Sequence, residues 1–279
     1  MLGYMGISGC SKSLPFAVGL LAATAAQAAD DYRWVQYVPG GIEARALTDR
    51  AECPKAAIDS VAARMSPRST PGPEYPILVC SLPLPAGTRV ATIDGMPLPL
   101  PKARPDRILV IGDTGCRLKG EQVQACNDIS EWPFRIGADI SAELKPDLVL
   151  HVGDLHYRES ECPAANKGCA GTPFGDSWAV WRADFFSPGE LLLNAAPWIF
   201  VRGNHEECER GGKGWARTLD PYAWVPSEGK TGCLGPAKPF TVDLGGITLG
   251  VVDVSTADES KVYAAQVDLY KSVFKSVID

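Results

Sequence analysis

Three short apolar runs, each leading into glycine and a polar residue, constrain this chain more than any other feature. Residues 108–111 precede Gly112-Asp113, residues 148–152 precede Gly153-Asp154, and residues 198–201 precede Gly203-Asn204. A fourth run, 247–252, ends at Asp253. Between them lie helix-compatible stretches: Ile136, Ile140 and Leu144 at four-residue spacing, then 178–185, and finally 263–277. Strands that alternate with helices predict an α/β sheet.

In such sheets the loops after the carboxyl ends of strands collect functional groups, because the chain direction aims several loops at one crevice. Asp113, Asp154 and Asn204 each occupy that place, and successive members lie 41 and 50 residues apart. Those distances accommodate a helix and a return strand. Two carboxylates and a carboxamide are hard oxygen donors that suit Fe, Mn, Mg or Zn with imidazole help. The preceding glycines let the chain turn tightly and bring each side chain near a shared centre. One Gly-Asp after a strand is an ordinary turn; three in this order are a pattern.

Hydrophobic residues make up 46% of the 279 and charged residues 22%, which suits one large globular domain or two unequal ones. Lys12, the apolar stretch 14–26 and Ala26-Gln27-Ala28 read as a signal peptide over 1–28, cleaved near Ala28. No later stretch offers the roughly 20 uninterrupted apolar residues of a membrane span. Removal of 1–28 takes one Lys, leaving 26 basic against 33 acidic residues, a balance of about −7 that argues against a nucleic-acid partner. Cys10 leaves too, and the eight remaining cysteines read as disulfides of an exported chain, periplasmic or extracellular. Neighbours within short loops suggest Cys53 with Cys80, Cys116 with Cys126, Cys162 with Cys169, and Cys208 with Cys233.

Residues 29–105 are rich in Pro and turn signals, with expected strands at 33–38, 77–82 and 89–93, and read as a small β-rich module. Pro97, Pro99, Pro101 and Pro105 mark an extended connector over 96–105, so a boundary is set at 105 and a second domain at 106–279.

Gly112-Asp113-Thr114-Gly115, Gly153-Asp154-Leu155-His156-Tyr157 and Gly203-Asn204-His205-Glu206, in this order, resemble the calcineurin-like metallophosphoesterase superfamily. Asp154-x-x-Tyr157, with Gly115 where many relatives place a histidine, resembles its purple acid phosphatase branch. The resemblance covers about 107–253. It implies a metallo-dependent phosphatase-like αββα sandwich that hydrolyses a small-molecule or protein phosphate ester with a metal-activated water. It also implies that Asp113 and Tyr157 bind a first metal, that Asp154 bridges and that Asn204 binds the second, the pair being Fe plus Zn, Mn or Fe. His205 would be catalytic beside the phosphate, oriented by Glu206. Arg117 and His156 are expected as substrate contacts or as ordinary surface residues, Asp253 as an outer residue on the same rim. His151 is read as a packed core residue, and Trp178, Trp181 and Phe185 as one buried stripe.

Members of the superfamily finish the site with two further histidine-bearing loops, whereas no histidine follows Glu206. The expectation is a C-terminally incomplete domain with impaired activity. The competing expectation is an inactive exported binding or adhesion protein with a phosphate or glycan ligand.

Overall fold

The computed structural model describes residues 31–226, 233, 235–257 and 260–278; the signal segment lies outside them. Seven strands form one mixed sheet: β1 (Tyr32–Val38), β2 (Gly41–Thr48), β3 (Ser66–Ser69), β4 (Leu78–Leu84), β5 (Ile108–Ile111), β6 (Leu148–His151) and β7 (Trp198–Phe200). Their spatial order is β3-β4-β2-β1-β7-β6-β5. The three strands that lead into the glycine turns, β5, β6 and β7, lie side by side and parallel. Parallel neighbours place their carboxyl ends, and hence the three turns, along one rim.

Period-2 alternation sorts the sheet's side chains onto two faces. Val149, Trp198 and Phe200 enter a core with Trp178, Trp181, Phe185 and Phe186. Leu148 and Ile199 point the other way, onto the hairpin β8 (Phe240–Asp243) and β9 (Thr248–Val251), whose Val242 and Val251 are buried there. Helices α1 (Phe134–Glu143) and α2 (Trp178–Trp181) cover the first face. Helix α4 (Ala264–Ile278) lies on the hairpin, so closely that a Cβ at Gly250 would stand 2.2 Å from Val277 Cγ1. The layers are therefore helix, sheet, hairpin and helix, an αββα sandwich. The stretch expected as one helix over 178–185 becomes α2 followed by a π turn, Arg182–Phe186. The wider turn sets Phe185 and Phe186 side by side in the core, with their rings edge to face at 5.3 Å.

Four strands from the β-rich N-terminal segment, β1 to β4, join the same sheet. β1 runs parallel to β7, with Gln36 opposite Trp198, and its other edge begins the antiparallel run β1-β2-β4-β3. A smaller sheet of Val61–Arg64, Lys55–Ile58, Ala91–Ile93 and Met96–Pro97 shares a core with Val35, Ala44, Ala46 and Cys80. Part of the proline-rich connector is thus itself paired, and Leu98 within it is buried. The four disulfides are Cys53–Cys80, Cys116–Cys126, Cys162–Cys169 and Cys208–Cys233, the neighbours inferred from spacing.

Two arginines from the N-terminal strands, Arg45 buried and Arg68 half-buried, clasp the end of α3 (Gly212–Thr218), the helix that follows the 203–206 turn. Arg45 donates to the carbonyls of Thr218 at 2.6 Å and Asp220 at 2.7 Å and to Glu43 at 2.9 Å. Arg68 donates to the carbonyls of Ala216 and Arg217 at 2.9 and 3.1 Å. Such donors satisfy the last carbonyls of the helix, beyond the Trp215 carbonyl that the Leu219 and Asp220 amides already serve. Arg45→Ala leaves those acceptors and Glu43 without their cation, so urea unfolding is expected to show a loss of about 3 kcal/mol.

Candidate metal centre

Asp113 and Asp154 follow their glycines at the ends of β5 and β6, and both adopt left-handed backbone, φ 53° and 63°. Side-chain-bearing residues rarely sit there, and each such residue stores strain on the order of 1 kcal/mol. The two turns hold one another in that shape. The Asp113 N–H donates to the Gly153 carbonyl at 3.1 Å and the Thr114 N–H to the Asp154 carbonyl at 3.0 Å. Gly203 completes the cradle, since a Cβ there would stand 2.1 Å from Asp154 Oδ1. Only glycine lets the 203–206 turn approach the carboxylate.

The Tyr157 hydroxyl lies 2.6 Å from Asp113 Oδ1 and 3.1 Å from Asp154 Oδ2, so one phenol reaches carboxylates from two strands. Burial, and then the two carboxylates, push its pKa up, and the protonated phenol is the donor in both contacts. Asn204 opens a 3-10 turn, Asn204–Glu206, and the next amide, that of His205, donates to Asp154 Oδ1 at 3.1 Å. The structure thus gathers Asp113, Asp154 and Tyr157 within hydrogen-bond distance and brings the backbone of Asn204 and His205 against them.

Gly115 has a physical reason: a Cβ there would stand 2.5 Å from the Leu155 carbonyl. Asp184, from the π turn, ties the first two motifs together. Its carboxylate accepts the N–H groups of Cys116 at 3.0 Å and Tyr157 at 2.9 Å and the Nε of Arg158 at 2.5 Å.

Glu206 has a different task from the one expected of it. It is fully buried, and its oxygens accept four backbone N–H groups: Leu155 and His156 on Oε1 at 2.7 and 2.9 Å, Asp154 and Gly203 on Oε2 at 2.9 and 3.1 Å. It shapes the loops. The partner of the His205 ring is Glu159, 2.8 Å from Nδ1, with the His156 carbonyl at 3.1 Å from the same nitrogen. Arg210 bridges the Glu159 carboxylate and the imidazole. Burial acts to raise the Glu159 carboxyl, but hydrogen bonds from His205 and Arg210 outweigh it and hold the pKa at about 2. The His205 ring stacks on Tyr157 with centroids 3.7 Å apart. Neither Glu159 nor Arg210 belongs to a motif, and the only sequence signal was a carboxylate two residues beyond Tyr157.

His156 is buried rather than facing a ligand, with Nε2 3.1 Å from the Gly175 carbonyl. Arg117 lines the rim, its guanidinium 4.7 Å from the Tyr157 ring centroid. Asp253 sits apart, accepting from Arg202 at 3.4 Å and from the Ala237 and Ser255 amides at 2.8 and 2.9 Å. His151 is a core residue with a further role. The Gly153 N–H donates to its Nδ1 at 3.3 Å, so Nε2 carries the proton and donates to Thr114 Oγ1 at 3.0 Å. It pins the two aspartate turns from below.

Two carboxylates and a phenol on a strained, glycine-cradled frame fit a hard cation. Among the described residues no three His, Cys, Asp or Glu side chains gather so as to hold a metal ion. Residues 106–271, well over half of the chain, match the family model described as calcineurin-like phosphoesterase. Among solved structures, the chain is similar to a purple acid phosphatase isolated from yellow lupin (Lupinus luteus) seeds, with 14% identity and a TM-score of 0.47. That similarity covers 88% of this chain and 48% of the lupin protein, so the chain spans about half of that relative's length. No curated protein matches the sequence.

Proposed function

The chain belongs to the calcineurin-like phosphoesterase family, and from that premise we propose that it binds metal and hydrolyses phosphate esters at the rim of Asp113, Asp154, Tyr157 and Asn204. The observation that carries the reading is the Tyr157 hydroxyl within reach of carboxylates from two strand ends. Asp113 and Tyr157 are assigned to a first cation, Asp154 to both and Asn204 to a second, with Fe plus Zn, Mn or Fe as the pair, in the manner of the purple acid phosphatase branch. Bound cations would supply Lewis acidity to the phosphate oxygens and lower the pKa of an attacking water.

The chain's own groups then have distinct tasks. Asp113 and Asp154 place two negative charges on one small site, and the hydrogen-bonded turns keep them there. His205, held at Nδ1 by Glu159 and the His156 carbonyl, is the proposed proton donor to the leaving alkoxide. Glu159 takes the orienting role first assigned to Glu206, which instead keeps the 153–156 and 203–206 turns in register. Arg117, beside Tyr157, is placed to hold a phosphate oxygen. The substrate is a small-molecule or protein phosphate ester rather than nucleic acid. The described residues contain four disulfides and no helix long and apolar enough to cross a membrane, which supports export after cleavage near Ala28.

Two of the three histidines are tied to groups other than the oxygen donors, and His156 is buried with Nε2 on a backbone carbonyl and no hydrogen-bond partner at Nδ1 among the described residues. His151 is committed to Thr114 and Gly153, His156 to Gly175 and His205 to Glu159. Metal retention is therefore proposed to be weak and turnover low, with no iron-tyrosinate colour. Equilibrium dialysis against Mn2+ and hydrolysis of a chromogenic phosphate ester with Mn2+ or chelator test the reading. Asp154→Asn is expected to weaken Mn2+ binding by about tenfold or more, since it removes a direct donor where an outer partner alone is worth about 10- to 100-fold. Equal Mn2+ binding by Asp154→Asn, together with no Mn2+-dependent hydrolysis by the parent chain, would overturn it.

A further inference from the structure

A cavity of about 790 Å³ opens directly beside Asp113 and Tyr157, between the outer edge of β5 and helix α1. Thr114, Arg117, Gln124 and Ser141 add polar groups to its lining, and the rest of the wall is apolar and aromatic, with Ile111, Trp132, Phe134 and Leu192 among its residues. The aromatic wall is fixed in place rather than loose. Trp132 Nε1 donates to the Thr114 carbonyl at 2.8 Å, next to Asp113, and Phe134 stacks on the buried Phe185 with ring planes 14° apart. At the mouth stands the Arg117 guanidinium, a cation beside the carboxylate cluster.

A concave, mostly apolar site with a few convergent polar groups is the usual form of a small-molecule pocket. Its chemistry here is divided: a polar end at Asp113, Tyr157 and Arg117, and a broad aromatic floor leading away from it. Resting on the phosphoesterase reading above, we infer that the cavity receives the alcohol portion of the substrate and that this portion is aromatic. The substrate class is a phosphate monoester of an aryl-bearing alcohol, with its phosphate between Arg117 and the carboxylates' metal and its ring against Trp132 and Phe134. Stacking and apolar burial on that wall then select among esters that share the same phosphate.

Gly137 offers a clean test, because it lines the cavity from α1 and a Cβ added there meets nothing within 4 Å. A tryptophan at this position begins in open space and is long enough to reach into the cavity, and it replaces a residue that weakens helices. Calorimetric titration of the purified chain with Mn2+ compares 1-naphthylmethylphosphonate, methylphosphonate and 1-naphthylmethanol, none of which is hydrolysed. The naphthyl phosphonate is expected to bind about tenfold tighter than methylphosphonate. Gly137→Trp should remove that advantage and leave methylphosphonate binding unchanged, and Trp132→Ala should reduce it in the same direction. Equal affinities for the two phosphonates, or an advantage that Gly137→Trp leaves intact, overturn the assignment of the cavity alone. Naphthylmethanol binding as tightly as its phosphonate, with methylphosphonate unbound, overturns instead the phosphate reading on which the assignment rests.

Discussion

Glu206→Ala is expected to destabilise the chain by on the order of 4 kcal/mol, and Glu206→Gln by nearly as much although it keeps the shape. The buried carboxylate accepts four backbone N–H groups, two on each oxygen, from the 153–156 and 203–206 turns. Alanine leaves those donors facing a small void, and each unsatisfied buried donor costs about 1–3 kcal/mol before the turns relax. Relaxation lowers the sum, which is why 4 rather than 8 kcal/mol is expected. Glutamine retains one acceptor oxygen but presents an NH2 group to the two amides that the other oxygen served, so two donors meet a donor. Urea denaturation of the three proteins at neutral pH checks the order. A Glu206→Gln variant within about 0.5 kcal/mol of the parent would show that the carboxylate is not the organiser of these turns. Mn2+ binding should fall with stability, since the Asp154 and Gly203 amides that Glu206 holds belong to the cradle itself.

What was legible in the sequence follows what sequence can encode locally. The turns that carry Asp113, Asp154 and Asn204 were legible because apolar runs ending in glycine report a strand and a tight turn within a few residues. The cysteine pairs were found because three of the loops they close are wholly local. Glu159 was missed because its relation to His205, 46 residues away, exists only after β6 and β7 lie side by side, and Arg210, five residues from His205, belongs to no motif. The acidic partner of His205 was sought at Glu206, its chain neighbour, yet a buried carboxylate at that turn is drawn to the nearest unsatisfied backbone amides. Strand β2 was missed for a related reason. Its Glu43 and Arg45 suggest an exposed segment, but Arg45 is buried against carbonyls that α3 supplies from more than 170 residues away. The placement of β1 against β7 is likewise long-range: Gln36 can sit in the sheet centre only because Leu219 and Trp34 satisfy its amide.

Acid should expose the role of His151 before it reaches the carboxylates. Full burial among Phe185 and Phe200 lowers its pKa to about 3, from an ordinary value near 6.5. Between those values the unfolded chain binds a proton that the folded chain refuses, so stability is fully present above about pH 6.5 and declines as pH falls toward 3. Each pH unit below 6.5 removes about 1.4 kcal/mol, which gives a loss of about 3 kcal/mol between pH 7 and 4.5. The low-pKa carboxylates act later. Lys102 first, and then the amides of Asp106 and Arg107, hold Asp147 at about 2 against burial, and Glu159 is also held at about 2. Their contributions are lost only below about pH 4.5, as the pH approaches their folded values. Burial raises the Glu206 and Asp220 carboxyls, which act in the opposite sense, so urea titrations at pH 7, 5.5 and 4.5 isolate the histidine by comparing the parent with a His151→Gln variant that keeps both carboxyls. His151→Gln can still accept from the Gly153 N–H and donate to Thr114 without titrating, so the parent should lose about 3 kcal/mol more than the variant over the same interval. A parent and variant whose stabilities change alike between pH 7 and 4.5 would mean that the proton finds room on His151, and that the tie between the two aspartate turns opens in the folded state.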